Sequence, residues 1–510
     1  MDNTPDRQAV RLRAPTSHAL ATAALLIAAF ALGLSYPSTR DPDIWWHLKT
    51  GEWIVQHGAV PWSDPFGAHT AGVLWVAYSW LAEVWFYLID RYDPALGLKA
   101  IQGLVAAATL GLVYVQAHCR SRRPRLALLA TAFAVVPLIP WWARPQMFSF
   151  LLMAATMLVL WWGQNRARRA FWFLPPIMAL WANLHIYFVV GLGLMWLLLL
   201  WPWLSWLLEG RRRDPLPSAY GLGIALAASL APLLNPYGAT LFREILPLAA
   251  HATDNWPRNV IQELQSPDFH NWAGQMLFLW IALFSLAFAG SGRRPPALTL
   301  LLFLVLLFRA LFAIRDIPFF IIVMLPLAVE HVAAAWPQPG QAASLASSFV
   351  SPVAVAKGVA HWLIAVLLAL LLAAPFVKYD RERGRLLQER DKDYPAGAVA
   401  YLLKARPSGP MLNDFNWGGY LIHALSPAYP VYIDGRNQLY RRAFWDEYDK
   451  LRQCKPGWQK RLDATGARVV LWQADAPLAA LLRLSPEWTV RYADGNAVVF
   501  VKSIRRQGER

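Results

Sequence analysis

The sequence predicts a mainly α, polytopic membrane helical bundle with a smaller α/β domain at its C-terminal end. Three observations predict it. Of the 510 residues, 57% are hydrophobic and only 16% charged, a balance unlike that of a soluble domain. The apolar residues come in long uninterrupted stretches, and a helix needs about 20 of them to cross a bilayer. The basic residues gather in the short gaps between stretches, as cytoplasmic loops do under the positive-inside rule.

Taken in order, apolar stretches lie at 18–36, 97–117, 127–142, 147–163, 171–185, 187–208, 218–235, 273–290, 297–313, 318–335 and 359–377, about eleven spans. The first follows Arg7, Arg11 and Arg13 and reads as an uncleaved anchor. With the N-terminus in the cytoplasm, the cluster Arg120, Arg122, Arg123 and Arg125 falls inside. So do Arg166, Arg168 and Arg169, then Arg211, Arg212 and Arg213, then Arg293 and Arg294, then Lys357. The segment 73–89 is also apolar, but counting it as a span would put the Arg120 cluster outside. It is therefore laid in the interface as an amphipathic helix; a true span followed by an inverted bundle is the alternative. Many of the 27 tryptophans stand near span ends, where interfacial belts form. The net charge of +16 is thus topological, and no single face collects it, which argues against a nucleic-acid partner. Cys119 and Cys454 fall on opposite sides, so no disulfide is expected.

Near residue 378 the composition changes, dividing the chain into 1–377 and 378–510. A charged linker, 380–393, leads to strand-length apolar runs at 431–434, 468–472, 489–492 and 497–501, and helical stretches at 398–405 and 477–484. Turn signals lie at Asn416-Trp417-Gly418-Gly419, Asp434-Gly435-Arg436 and Asp494-Gly495. About 120 residues suffice for a separate core, placed by the topology on the outer face.

The cytoplasmic gaps hold no G-x-x-x-x-G-K-[ST] run and no strand-led G-x-G-x-x-G, which excludes a nucleotide-binding domain there. The other polar residues collect at the outer mouth. The first loop, about 37–94, carries Asp41, Asp43, His47, Asp64 and Glu83; later turns bring Arg144, His185, Asn235, Asp254, Arg258, Glu263, Arg315 and Asp316. Ionisable groups at the membrane tend to mark function. An acidic mouth with arginines suits a lipid-linked phosphate, because a guanidinium presents two parallel donors to it. Asp41 and Asp43 are the candidate catalytic carboxylates, one of them taking a proton from an acceptor hydroxyl. Asp43 is also a candidate ligand for a divalent ion such as Mg or Mn. Its other reading is a cap for the helix 44–56; Asp41, held extended before Pro42, has less structural reason to be there. Arg144, Arg315, His185, His47, Asn235 and Glu263 are candidates for the lipid phosphate and sugar. Asp434, Arg436 and Tyr440 are candidates for the acceptor side, against a packing role for the same turn. Arg309, deeper in its span, is expected to pair within the bundle, with Glu330 as a partner.

These residues resemble the GT-C superfamily of membrane glycosyltransferases, which includes protein O-mannosyltransferases, aminoarabinose transferases and the catalytic subunits of oligosaccharyltransferases. Asp41-Pro42-Asp43 looks like their modified D-x-D motif in the first loop. The strings Trp45-Trp46-His47-Leu48, Arg144-Pro145-Gln146, Trp181-Ala182-Asn183-Leu184-His185, Asn235-Pro236-Tyr237-Gly238 and Trp417-Gly418-Gly419-Tyr420 are similar to those of a bacterial branch. The resemblance implies a bacterial inner-membrane enzyme with a periplasmic C-terminal domain. It implies a polyprenyl-phosphate sugar donor, and a glycan, lipid or protein acceptor at the membrane. No W-W-D-x-G motif is present, which disfavours transfer to sequons. A polysaccharide polymerase or ligase using a diphosphate-linked oligosaccharide is the second reading. A transporter, flippase or envelope scaffold is the third; no internal repeat supports transport.

Overall fold

The computed structural model describes residues 17–35, 39, 41–138, 143–209, 219–250, 261–335 and 392–503. The expected span 359–377, most of the linker 380–393, and Asp254 and Arg258 lie outside them.

Ten of the expected spans coincide with helices. Among the described residues, five helices are long and apolar enough to cross a membrane: Gly97–Ser121, Gln146–Asn165, Phe188–Ser205, Trp272–Ala289 and Ile314–Ala335. A bent pair, Tyr220–Leu234 and Ala239–Ile245, makes a sixth if it is one span; its halves meet at 92° where Asn235-Pro236 interrupts the helix. Of the remainder, the first keeps its expected length as Ser17–Ser35, and the others are shorter than expected. The stretch 171–185 yields the 3-10 turn Arg168–Phe173 and the 11-residue helix Leu174–Leu184. The segment 73–89 is not one helix either: helix begins at Trp80 and runs 13 residues to Tyr92. At 1.5 Å per residue that is about 20 Å, too short to span. It buries Ala82, Glu83 and Phe86 and packs on the helix Asp43–His57.

Gly97–Ser121 is central, against Ser17–Ser35, Gln146–Asn165 and Ile317–Ala335. It meets the first helix where Gly33 faces Gly103 with no room for a Cβ on either, the close backbone approach that small residues allow between membrane helices.

The helix Asp43–His57 carries the sequence-read motif. Pro42, at φ −63°, sits in a conformation that leads into its first turn. Gly58, at φ +64°, ends it by donating its N–H to the Ile54 carbonyl.

In the C-terminal region four strands form one sheet in the order β1-β2-β4-β3: β1 Met411–Asn413, β2 Val469–Gln473, β3 Trp488–Ala493 and β4 Ala497–Lys502. β1 is parallel to β2; the other pairs are antiparallel. Alternation decides the two faces. Val469, Leu471, Ala497 and Val499 join the core that runs on into the bundle. Val470, Trp472, Val498 and Phe500 bury a second core with Trp445 and Leu478. The expected strands 468–472, 489–492 and 497–501 are present. The run 431–434 is not a strand of this sheet: Val431 exchanges backbone hydrogen bonds with Phe66 and Ala68 of the first loop, at 3.2 and 2.8 Å. The Trp417-Gly418-Gly419 signal is not a turn but the start of the helix Gly418–Leu425. That helix packs on Asp43–His57, with Gly419 against the Pro42 carbonyl.

Candidate active site

Arg144 leaves the last extended residues before the helix Gln146–Asn165 and meets three carboxylates. Its Nη2 donates to Asp41 Oδ1 at 2.9 Å and to Asp43 Oδ2 at 2.7 Å. Its Nη1 donates to Glu263 Oε2 at 2.5 Å, and its Nε contacts Asp41 Oδ2. Glu263 lies on the 3-10 turn Gln262–Leu264 and reaches Arg315 Nη1 at 3.7 Å with its other oxygen. Arg315 lies over the Tyr187 ring, 5.3 Å from its centroid, and its carbonyl accepts from Gln146 Nε2 at 3.2 Å. Four sequence-distant segments thus bring Asp41, Asp43, Arg144, Glu263 and Arg315 into one cluster.

The two aspartates divide the work differently from the expectation. Asp41, 3% exposed, is the residue that caps the helix: its Oδ1 accepts the Asp43 N–H at 2.9 Å. Both its oxygens are also held by Arg144. Asp43 is the first helical residue, with its side chain 24% exposed; its Oδ1 accepts the Trp46 indole N–H at 3.1 Å. If all are ionised, Asp41, Asp43 and Glu263 carry −3 against +2 from Arg144 and Arg315, a surplus of one negative charge. A buried surplus favours keeping a proton. Burial raises both aspartates, against the pull of Arg144, and lifts Asp43 to about 7. Burial works on Glu263 in the same sense, but Arg144 and Arg315 outweigh it and hold that carboxyl below its ordinary value. Of the two raised aspartates, Asp43 is the more exposed, at 24% against 1% for the Asp41 side chain.

These oxygen donors match Mg or Mn in chemistry. In position they are closed on the Arg144 guanidinium. Among the described residues no three His, Cys, Asp or Glu side chains converge to hold an ion. The arrangement as it stands does not fit a resident metal.

His185 follows the helix Leu174–Leu184, and its tautomer can be read from its neighbours. Trp181 Nε1 donates to Ser149 Oγ at 2.7 Å, so the Ser149 proton is free for His185 Nδ1 at 2.8 Å. The Tyr187 N–H also points to Nδ1, at 3.4 Å. Nδ1 is an acceptor, and the hydrogen sits on Nε2.

Other candidates are engaged elsewhere. His47 is buried and pairs with Glu83 at 2.9 Å, not with Asp43. Asn235 braces backbone, donating to the Ala182 carbonyl at 2.9 Å and accepting the Tyr237 N–H at 3.0 Å. Asp434, Arg436 and Tyr440 are buried and bonded to one another. Arg436, wholly buried, bridges Asp434 at 2.8 Å and Asp64 of the first loop at 2.5 Å, and the Tyr440 hydroxyl donates to Asp434 at 2.7 Å. Arg309 pairs with Asp316 at 2.5 Å rather than with Glu330, whose partner is Arg120 at 2.9 Å.

No protein-family model and no curated protein sequence matches the chain. Solved structures do. The oligosaccharyltransferase of Archaeoglobus fulgidus, tethered to an acceptor peptide containing the NVT sequon, superposes with a TM-score of 0.56 at 12% identity over 95% of this chain and 74% of that one. ArnT from Cupriavidus metallidurans, bound to undecaprenyl phosphate, gives 0.48 at 14% identity over 98% of this chain and 100% of that one. The chain therefore shares its fold with that oligosaccharyltransferase.

Proposed function

We propose that this protein is a membrane glycosyltransferase that moves a sugar from a polyprenyl-phosphate donor to an acceptor hydroxyl. The observation that carries the reading is the Arg144 cluster, where Asp43 lies on the Arg144 guanidinium and Glu263 joins Arg144 to Arg315. Asp43 is the base. It removes the acceptor proton while the acceptor oxygen bonds to the anomeric carbon, and the bond from that carbon to the phosphate oxygen breaks. Displacement from the opposite face inverts the anomeric centre. The leaving polyprenyl phosphate gains charge as it departs. Arg144, Arg315 and the His185 Nε2–H are the donors that stabilise it. Asp41 holds Arg144 and the start of the helix. Glu263, which lies on both arginines, yields to the phosphate.

The distribution of basic residues supports an orientation with the N-terminus in the cytoplasm, and the cluster and the C-terminal domain on the periplasmic side of a bacterial inner membrane. The first test incubates purified protein with a panel of polyprenyl-phosphate monosaccharides, with and without Mg or Mn, and measures release of polyprenyl phosphate. Release by wild type and its loss in Asp43→Asn support the reading. Release at the wild-type rate from the Asn variant sinks it.

A further inference from the structure

We infer that the Asp434-Gly435-Arg436 turn of the C-terminal region is the positioning element for Asp43, with Gly435 and Trp46 fixing its Oδ1. The inference rests on the reading of Asp43 as base. A Cβ on Gly435 would overlap Asp43 Oδ1 and come within 3.3 Å of Trp46 Nε1. The backbone at Gly435 is not left-handed, so alanine meets no conformational penalty there. Space against the carboxylate is what the site requires of this residue. The same Oδ1 accepts the Trp46 indole hydrogen bond at 3.1 Å. One carboxylate oxygen is therefore bounded by a backbone from one side and held by an indole from another.

The turn itself cannot drift. Arg436 Nε and Nη2 grip Asp434 at 2.8 Å each, and Nη1 grips Asp64 Oδ1 at 2.5 Å. The guanidinium also lies over Trp75, 4.7 Å from its centroid. Asp64 belongs to the same loop as Asp43, so the C-terminal turn is locked to the loop whose carboxylate it bounds. Gly418 removes another obstacle: a Cβ there would strike the Ile433 carbonyl and the Asp434 Cα. A carboxylate held this way presents its remaining oxygen in one orientation, which is what a base needs. A misplacement of about 1 Å costs roughly 100-fold in rate.

The test compares Gly435→Ala, Trp46→Phe, Asp43→Asn and Gly435→Ala/Asp43→Asn in the full-length chain. Three readouts are used: thermal melting, release of polyprenyl phosphate from polyprenyl-phosphate monosaccharides, and dicyclohexylcarbodiimide labelling of Asp43 against pH, followed by peptide mass spectrometry. The labelling needs no substrate. Positioning predicts that Gly435→Ala loses roughly 100-fold in turnover at little-changed donor KM and melting temperature, with no further loss in the Asp43→Asn background. It also predicts that the labelling midpoint of Asp43 moves in Gly435→Ala and rises in Trp46→Phe, which takes away a donor to the carboxylate. Wild-type turnover and labelling in Gly435→Ala overturn the inference, as does a loss that adds in full to that of Asp43→Asn. If Gly435→Ala does not fold, Trp46→Phe decides on the same two readouts. Wild-type turnover in Asp43→Asn defeats the proposed function instead, and the labelling then judges the positioning alone.

Discussion

Replacing Arg144 by lysine keeps the charge and removes the fork. Arg144 touches Asp41 through two atoms, Asp43 through one at 2.7 Å and Glu263 through one at 2.5 Å. A lysine ammonium is a compact point charge that meets part of such a set at most. Each lost hydrogen bond between charged groups is worth about 1.5–3 kcal/mol, so the lysine variant leaves at least one carboxylate without its cation. The preorganised donor for the departing phosphate is lost as well, which typically costs about 100- to 1,000-fold in turnover, or ~2.7–4 kcal/mol. The assay is release of polyprenyl phosphate from a labelled donor by protein in lipid nanodiscs, with thermal melting in parallel. A folded Arg144→Lys variant turning over within a few-fold of wild type would refute the reasoning, since charge without geometry would then suffice.

Glu263→Gln removes the carboxylate that lies on both arginines, and polyprenyl phosphate should bind about tenfold tighter by calorimetry, as expected when a competing charge is removed. Ser149→Ala takes away the hydroxyl that fixes His185 with Nδ1 as acceptor. Turnover should fall while donor KM changes little, and Ser149→Thr, which keeps a hydroxyl, should recover part of it. Asp64→Asn leaves the buried Arg436 paired with Asp434 alone and weakens one charged hydrogen bond, which should destabilise the chain by about 1.5–3 kcal/mol, read as a lower melting temperature with the C-terminal region loosened to protease.

Much of the cluster was legible in the sequence because charge near a bilayer is expensive. Asp41, Asp43, Arg144, Glu263 and Arg315 stood out as ionisable groups in the loops and turns at one mouth of the bundle, and the structure brings them together. The split between the two aspartates was not legible. Both are cap-forming residue types one proline apart, and the choice depends on Pro42 taking the helical conformation, which makes Asp41 the cap. The Asp64–Arg436 pair joins positions 372 residues apart, and no periodicity signals such a contact. Pattern reading also failed where apolar alternation had a different cause. The run at 431–434 is apolar because Val431 and Ile433 are buried, but Val431 pairs with the first loop and not with the sheet, and β1, at three residues, is too short to show a period. Gly418, Gly419 and Gly435 read as turn formers, yet each is small because another chain segment lies against it.

The pH dependence of single-turnover sugar transfer tests the central claim most directly. Asp43 must be ionised to accept a proton, and burial lifts it to about 7. The rate should therefore rise with pH and level off above a midpoint near 7. The same shift has a sign for stability. The unfolded carboxyl releases its proton near pH 4 and the folded one near 7, so the native state binds more protons in between, and stability falls as pH rises through that window. The account predicts the rising limb in wild type and its disappearance, with the rate, in Asp43→Asn. A rate independent of pH between 5 and 9, or an unchanged limb in the variant, would contradict it.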